Sequence, residues 1–304
     1  MVVCSRANTS LALFCILSIS SSHGILSTIA SLRDELPQEG ECGTLNTYYF
    51  HNLKRMTEID EFPWMGRVLY ENTEDHTFWF KCYCTLISKN FVLMNAVCFD
   101  YKEEPSRIYL GDWDAGNDKF KSDCDDSGRC APVPQAFELD EIIIHRNYNS
   151  KFKNNDIALV KLNKPVRYSD FIRPICLPSR DEVQKNYVNQ LLEVTGWYFN
   201  SNVSAIKAKT FVRVVNLKFC EEKMKHFTLD KKTNICAYTC SGNFVFRIAS
   251  ILMDIKTVNG EPGYYYLIGL NTHGLEVCSL IYPDVYIRVD RYLDWIYENM
   301  ALSL

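Results

Sequence analysis

The sequence predicts an all-β protein, and three observations lead to that prediction. From about residue 67 to residue 162, short runs rich in β-branched and aromatic residues alternate with turns, a spacing typical of a barrel or sandwich. The second half of the chain repeats this pattern. The chain has 304 residues, 47% of them hydrophobic, which is ample for a sizeable core. An all-β domain of roughly 200–250 residues commonly folds as one unit.

Residues 1–22 are interpreted as a secretory signal. Arg6 precedes an apolar run at residues 11–19, and the small residues 20–22 fit a cleavage site. The run is too short to span a bilayer, and no later stretch offers about 20 apolar residues. A buried N-terminal helix is the alternative. The signal predicts a secreted, extracellular protein.

Residues 23–56 are predicted to be an N-terminal segment tethered through Cys42. They are polar, with Pro37 and Gly40 as breakers, and too few for a domain of their own. Residues 57–304 are predicted to form the folded domain.

The first half of that domain contains several predicted strands. They are residues 68–70, 91–93, 107–110, 142–144 and 157–162. The second half adds residues 192–197, 211–215, 264–270 and 284–289. Residues 292–297 have the three-to-four residue spacing of an amphipathic helix, which predicts a closing helix at the C-terminus.

Three short motifs carry a family resemblance. They are Met94-Asn95-Ala96-Val97-Cys98, Asn155-Asp156-Ile157-Ala158-Leu159 and Cys240-Ser241-Gly242-Asn243-Phe244. In their order they resemble T-A-A-H-C, N-D-I-A-L and C-x-G-D-S of the trypsin/chymotrypsin-like serine proteases. Residues 61–64, 110–114 and 171–178 resemble further motifs of that family. The resemblance covers about residues 57–298 and implies two six-stranded antiparallel β-barrels with a C-terminal helix.

The resemblance also implies that the catalytic chemistry is missing. Acyl transfer needs a hydroxyl nucleophile, a base that takes its proton, and a group that orients the base. Val97 stands at the histidine position and Phe244 at the serine position, whereas Asp156 remains. Neither a valine nor a phenylalanine side chain exchanges protons. The vestigial triad Val97, Asp156 and Phe244 therefore predicts a protein that is not an enzyme.

The activation ion pair of the family is replaced at both ends. His51 stands where the family has the isoleucine freed by cleavage, and Phe50 replaces the arginine before it. The aspartate that would pair with the new amino group is Asn243. The two replacements are consistent with each other. Without the freed amino group, an aspartate at position 243 would be a lone buried carboxylate, which costs more than the amide of Asn243.

The primary-specificity pocket is expected to be filled. Tyr238 occupies the position where trypsin-like enzymes carry aspartate, and Asp284 follows Pro283 where a glycine lines the pocket. His273 and Gly274 stand where Trp-Gly forms the wall that pairs with a peptide. We expect ordinary small-molecule protease inhibitors not to bind.

Cysteine usage fits an oxidising compartment. Of 13 cysteines, Cys4 and Cys15 lie in the signal, which leaves 11. Spacing alone does not assign their pairing. The resemblance implies five disulfides, Cys82–Cys98, Cys220–Cys236, Cys240–Cys278, Cys42–Cys176 and Cys124–Cys130. Cys84 is then left without a partner in this scheme. It is a free buried thiol, it competes with Cys82 for Cys98, or it forms a disulfide with a second chain.

Other features of the sequence are weaker signals. Asn202-Val203-Ser204 is a glycosylation sequon in a polar loop. Asp156 is either a lone acid or a cap for neighbouring backbone N–H groups. The acidic stretch from Asp112 to Asp126 is either a calcium loop or a solvated loop closed by a disulfide. The histidines lack metal-ligand spacing, so neither a metal nor a cofactor is predicted.

Function is expected to be binding. The formal net charge is −4, or −5 without residues 1–22, and no basic stretch predicts a nucleic-acid partner. The chain resembles an inactive homologue of arthropod clip-domain proteases, reduced to the protease-like domain. That implies a cofactor, adaptor or decoy that binds proteases or pro-enzymes of an extracellular cascade, in innate immunity and melanisation or as a venom acting on a host. Two rivals are an adhesion or pattern-recognition protein and an enzyme with a different site.

Overall fold

The structure is a computed structural model. It describes residues 32, 35–37, 40–46, 49, 54–72, 74, 76–116, 121–179, 181–197, 205–225, 228–238, 250–273 and 282–304. These residues contain thirteen strands in two antiparallel sheets and a helix at the C-terminus. The predicted all-β class, with two barrels and a closing helix, is confirmed.

The first sheet is built from the strands of the first half. They are β1 (Met65–Glu71), β2 (Phe78–Leu86), β3 (Phe91–Met94), β4 (Pro105–Leu110), β5 (Gln135–Phe137), β6 (Leu139–Ile144) and β7 (Ala158–Leu162). Their order is β5-β4-β1-β2-β3-β7-β6. β3 is buried along its whole length, and with β2 and β7 it forms the centre of this barrel.

The first sheet has seven strands where six were predicted. β5 and β6 lie at opposite edges of the sheet, yet Glu138 alone separates them along the chain. A single strand therefore breaks at Glu138, where one part pairs with β4 and the other with β7. The break is held by Asn163, whose backbone N–H donates to the Glu138 carbonyl at 3.1 Å.

The second sheet is a closed barrel of six strands. They are β8 (Leu191–Gly196), β9 (Ala208–Val215), β10 (Asn234–Tyr238), β11 (Ile251–Val258), β12 (Glu261–His273) and β13 (Asp284–Arg288), in the order β10-β13-β12-β11-β8-β9. β9 pairs with β10, which closes the barrel. The sequence-based assignment missed β2, β5, β10 and β11.

Helices occupy the edges of the barrels. α1 (Leu217–Lys223) follows β9, and the side chain of Asn216 caps it by accepting from the Lys218 N–H. α2 (Leu293–Ser303) buries Ile296 and Met300. Short 3-10 helices span Ala96–Phe99 and Val289–Arg291.

Four disulfides join the described residues. They are Cys42–Cys176, Cys82–Cys98, Cys124–Cys130 and Cys220–Cys236. Each joins a pair that the family resemblance implied. Cys84 carries a free, buried thiol, so the structure favours the first of its three alternatives. Cys240 and Cys278 lie outside the described residues, and their disulfide stays a prediction.

Candidate functional site

The carboxyl group of Asp156 lies at the junction between the two barrels. Asp156 lies two residues before β7 in the first barrel, and its side chain is fully buried. Its Oδ1 atom accepts a hydrogen bond from the Val97 backbone N–H at 2.7 Å. Its Oδ2 atom accepts from Asn95 Nδ2 at 2.9 Å and from the hydroxyl of Thr272. Because Thr272 belongs to β12, the carboxyl group ties the second barrel to the first.

The backbone before Asp156 is held in an uncommon conformation. Asn155 has a φ of 53°, a left-handed region that asparagine adopts more readily than most residues. Its side chain is fixed at both ends, since Nδ2 donates to the Asn147 carbonyl at 2.9 Å and Oδ1 accepts from the Tyr292 hydroxyl at 3.0 Å. These contacts set the direction in which Asp156 enters the junction.

Electrostatic effects on Asp156 oppose each other. Burial raises the pKa of Asp156, whereas the hydrogen bonds from Thr272, Val97 and Asn95 and the charge of Lys153 lower it. The three donors belong to fixed parts of the fold and are directed at the carboxyl oxygens. This arrangement satisfies a buried carboxyl group with donors other than an imidazole N–H.

Val97 lies beside this carboxyl group in the 3-10 helix Ala96–Phe99, and its side chain is only 6% exposed. The neighbouring Cys98 is bonded to Cys82 of β2, which anchors the helix to the barrel. Val97 thus contributes its backbone N–H to Asp156 and its side chain to the hydrophobic core.

A tight loop borders the junction on the first barrel. Asn149 organises it, because Oδ1 accepts from the backbone N–H groups of Lys151 and Phe152, both at 3.1 Å. Lys153 has a φ of 55° and sends its ammonium group inward to Asp100 at 3.0 Å. Phe152 remains 41% exposed. The loop therefore presents an aromatic ring on a backbone with many internal contacts.

The predicted pocket residues lie on neighbouring strands of the second barrel. Asp284 begins β13 and is buried, with Asn271 Nδ2 at 3.4 Å; burial raises the pKa of Asp284 to about 8. His273 ends β12 and is hydrogen-bonded to the backbone of Phe152 across the junction. Burial lowers the pKa of His273, and that hydrogen bond opposes the shift. Tyr238 ends β10, where its ring meets that of Phe219 edge-on at 6.2 Å.

Three aspartates of the acidic stretch, Asp112, Asp123 and Asp125, are bonded to protein groups. Asp112 pairs with Arg67 at 2.5 Å, and both side chains are buried. Asp123 accepts from the backbone N–H groups of Trp113 and Asp114, and Asp125 accepts from that of Arg129. Among the described residues, no group of three or more potential ligands is placed to hold a metal ion. The disulfide Cys124–Cys130 closes the loop, and calcium binding there stays untested because residues 117–120 lie outside the described residues.

A model of the family described as Trypsin matches residues 54–245, more than half of the chain. The chain belongs to the trypsin family. Several relatives in the family are clip-domain serine proteases of insects. The CLIP domain-containing serine protease HP8 of Bombyx mori is 32% identical over 300 residues, which cover 93% of this chain and 77% of that protein.

Two further relatives have names that mention activation or processing. The Spaetzle-processing enzyme of Drosophila melanogaster is 33% identical over 286 residues, covering 88% of this chain and 70% of that enzyme. Phenoloxidase-activating factor 3 of Holotrichia diomphalia is 29% identical over 276 residues, covering 88% and 77% respectively. The crystal structure of the drosophila Grass clip serine protease of the Toll pathway superposes with a TM-score of 0.73 at 22% identity, covering 89% of this chain and 78% of that one. That superposition shows the fold.

Several predicted positions of the trypsin-family site lie outside the described residues. They are Phe244, Gly274, Cys240, Cys278 and the sequon residue Asn202. His51 of the activation sequence is also outside them. The filled specificity pocket stays a prediction, because part of its expected wall belongs to these segments. Within the described residues, no helix is long and apolar enough to cross a membrane.

Two residues of the junction were missed in the sequence. Asn95 and Thr272 supply both side-chain donors to Asp156. Each stood beside a residue that was singled out, Asn95 two positions before Val97 and Thr272 one position before His273. The available signal was the presence of a buried acid, which must find donors when it lies in a core.

Proposed function

We propose that the protein is a secreted, non-catalytic member of the trypsin family that acts by binding proteins of an extracellular proteolytic cascade. The single observation that carries this proposal is the bonding of Asp156. In serine-protease chemistry this aspartate accepts the N–H of an imidazole base and fixes its tautomer. Here its oxygens accept from Asn95, Val97 and Thr272, and Val97, whose side chain has no N–H to offer, stands at the sequence position expected for the base.

The same bonding supports a structural role for the remaining member of the triad. A buried carboxyl group that joins two barrels contributes to stability whether or not a reaction takes place beside it. Retention of Asp156 in a chain with Val97 and Phe244 is then expected, because its loss would leave buried donors of both barrels unsatisfied.

A binding role has a suitable surface beside the junction. Phe152 is exposed at the tip of the loop described above, with the Lys151 ammonium 5.3 Å from its ring centroid. Aromatic side chains on well-ordered backbones are frequent binding hot spots, because little entropy is lost when they are covered. We assign this loop to the partner-binding surface.

The relatives suggest the class of partner. They include an enzyme named for processing Spaetzle and a factor named for activating phenoloxidase, so the proposed partners are proteases or pro-enzymes of such cascades. This step rests on analogy within the family.

Catalytic activity is tested directly. The purified mature chain is incubated with a fluorophosphonate probe and with a broad peptide library, and an active clip-domain protease serves as positive control. We expect neither labelling nor turnover. Labelling of any serine in the folded chain, or turnover that scales with protein concentration, refutes the non-catalytic part of the proposal.

Binding is tested against a panel of recombinant clip-domain proteases and prophenoloxidase immobilised on a sensor. We expect saturable binding to at least one of them that falls at least tenfold in Phe152→Ala, with Phe78→Ala as the matched control because Phe78 is also about half exposed. Binding to microbial glycans with no response to any panel member would instead support the adhesion role.

A further inference from the structure

A pair of basic residues lies just after the activation position of the family. Phe50 replaces the arginine expected at that position, whereas Lys54 and Arg55 follow shortly downstream. Both residues are exposed, and the side chain of Lys54 is 70% exposed. Because trypsin-like proteases carry an acid that recognises a basic side chain before the cut, this pair is a cleavage site by residue type alone.

The backbone around this pair is bound to the second barrel. Residues 55–57 lie antiparallel to residues 207–209, at the start of β9. The Arg55 carbonyl oxygen accepts a hydrogen bond from the Lys209 N–H at 2.7 Å. A serine protease that cuts after Arg55 must attack this carbonyl group and bind its oxygen with donors of its own. The pairing with β9 therefore withholds the group that the protease needs.

Thr57, two positions after Arg55, is buried and anchors this pairing. Thr57 is 3% exposed, and its N–H and its hydroxyl both donate to the Lys207 carbonyl at 3.0 Å. Its carbonyl and hydroxyl oxygens each accept from Trp113 Nε1 at 3.1 Å. A protease binds its substrate as an extended chain on both sides of the cut. Thr57 must therefore leave all of these partners before the bond can be cut.

A side chain from the first barrel ties the two flanks of the basic pair together. Arg129 Nη1 donates to the Tyr49 hydroxyl at 2.8 Å, and Arg129 Nη2 donates to the Asp60 carboxylate. We call these contacts the Arg129 clasp. Tyr49 lies five residues before Lys54, and Asp60 lies five residues after Arg55. The clasp therefore limits the length of chain that can move away from the barrels around the basic pair.

Both sides of this arrangement are themselves anchored. Arg129 belongs to the loop that the disulfide Cys124–Cys130 closes. On β9, the Lys209 ammonium donates to the Tyr49 carbonyl at 3.2 Å and pairs with Glu61 at 2.5 Å. Through its backbone and its side chain together, Lys209 binds the chain before, at and after the basic pair.

We propose that Lys54-Arg55 is a shielded processing site, which a trypsin-like protease hydrolyses only after the pairing with β9 and the Arg129 clasp have opened. In a cut after Arg55, the protease serine adds to the Arg55 carbonyl carbon, and the amide bond to Met56 breaks with a proton passing to the Met56 nitrogen. Water then displaces the serine oxygen, which regains a proton, and leaves a carboxylate on Arg55.

A cut at this site would not separate the two pieces. Cys42 precedes the basic pair and Cys176 follows it, and the two cysteines form a disulfide. The cut chain therefore remains one molecule until it is reduced, and its mass increases by that of one water. While the site is shielded, the chain stays whole beside trypsin-like proteases.

The test is limited proteolysis of the mature chain with trypsin under non-reducing conditions. Cuts after Lys54 or Arg55 are quantified by mass spectrometry, and a synthetic peptide of residues 52–60 gives the rate without shielding. Opening of the site breaks the backbone pairing and the bonds that Arg129 donates. We therefore expect the native chain to be cut at least about a hundredfold more slowly than the peptide.

The variant Arg129→Gln removes the guanidinium group of the clasp and leaves the pairing with β9 in place. We expect trypsin to cut this variant after Lys54 or Arg55 about tenfold faster than the wild type. Arg107→Gln is the matched control, because Arg107 is another exposed arginine of the first barrel and lies on β4, outside the clasp. The control should be cut at the wild-type rate.

Two outcomes would overturn the shielding. One is a native rate that lies within about a hundredfold of the peptide rate. The other is an unchanged rate in Arg129→Gln. Should that variant fold poorly, hydrogen exchange of the wild type decides instead: the Thr57 and Lys209 amides should be protected, and exchange at the rate of an unfolded chain would overturn the pairing. These measurements test neither catalysis by this chain nor partner binding, so the shielded site and the proposed function can fail separately.

Discussion

The substitution Asp156→Asn tests whether the retained aspartate is a structural link between the barrels. The carboxyl group accepts from three donors, at 2.7 Å from Val97, at 2.9 Å from Asn95 and from the Thr272 hydroxyl. An asparagine amide offers one acceptor oxygen and an NH₂ group that must face a donor. At least one buried donor is then unsatisfied at a cost of about 1–3 kcal/mol, and the lost charge weakens the bonds that remain.

We expect Asp156→Asn to lower the free energy of unfolding by about 2–4 kcal/mol. In a domain of this size that corresponds to a fall in Tm of roughly 5–15 °C. The assay is urea denaturation under non-reducing conditions, comparing midpoints at equal m-value. Asp181→Asn serves as the matched control, since Asp181 is 86% exposed and should change stability by no more than about 0.5 kcal/mol.

A double-mutant cycle locates the link between the barrels. Thr272→Val removes the hydroxyl that reaches Asp156 from β12 and should itself cost about 1–2 kcal/mol. The two substitutions should be less than additive by about 1 kcal/mol, because they break one shared hydrogen bond. A loss below about 0.5 kcal/mol in Asp156→Asn, or full additivity, would refute the structural role of the aspartate.

Three further predictions concern buried groups. The contribution of Asp284 to the free energy of unfolding should fall by about 1.4 kcal/mol per pH unit between pH 3.8 and about 8, because its raised pKa favours the protonated native state. Urea midpoints of Asp284→Asn should lack this component, and a pH slope equal to that of the wild type contradicts the assignment. Gly43→Ala should push residues 42–44 away from β12 and lower the free energy of unfolding by more than about 1 kcal/mol, since the added Cβ would lie 2.0 Å from the Tyr265 carbonyl oxygen at a φ of +61°. Hydrogen exchange at the Tyr265 amide, which donates to the Gly43 carbonyl, should become faster in that variant, and an unchanged rate would refute the close approach. Ellman's reagent should find no reactive thiol in the native mature chain, because the Cys84 thiol is buried and its pKa is raised by that burial. In denaturant the reagent should find one thiol, that of Cys84. Three thiols in denaturant would contradict the predicted Cys240–Cys278 bond.

Much of the fold was predictable because it depends on local patterns and on motif order. Alternating apolar residues at 157–162 predicted β7, and the spacing of residues 292–297 predicted α2. The break of one strand at Glu138 was not predictable, because it depends on pairing with β4 and β7, which lie far apart in sequence. β2 was missed as well, although it pairs with both β1 and β3.

The site was predictable as positions and not as contacts. The prediction that Val97 and Phe244 replace a base and a nucleophile rests on the sequence alone, because it compares side-chain types at matched motif positions. The sequence also left Asp156 as either a lone acid or a cap for neighbouring backbone N–H groups. Only the tertiary structure decided what that acid does, because its donors Asn95 and Thr272 come from different barrels. For the same reason no local pattern predicts that Glu193 and Tyr265 are hydrogen-bonded to each other. The pKa of each is raised by burial and by neighbours that folding alone brings together.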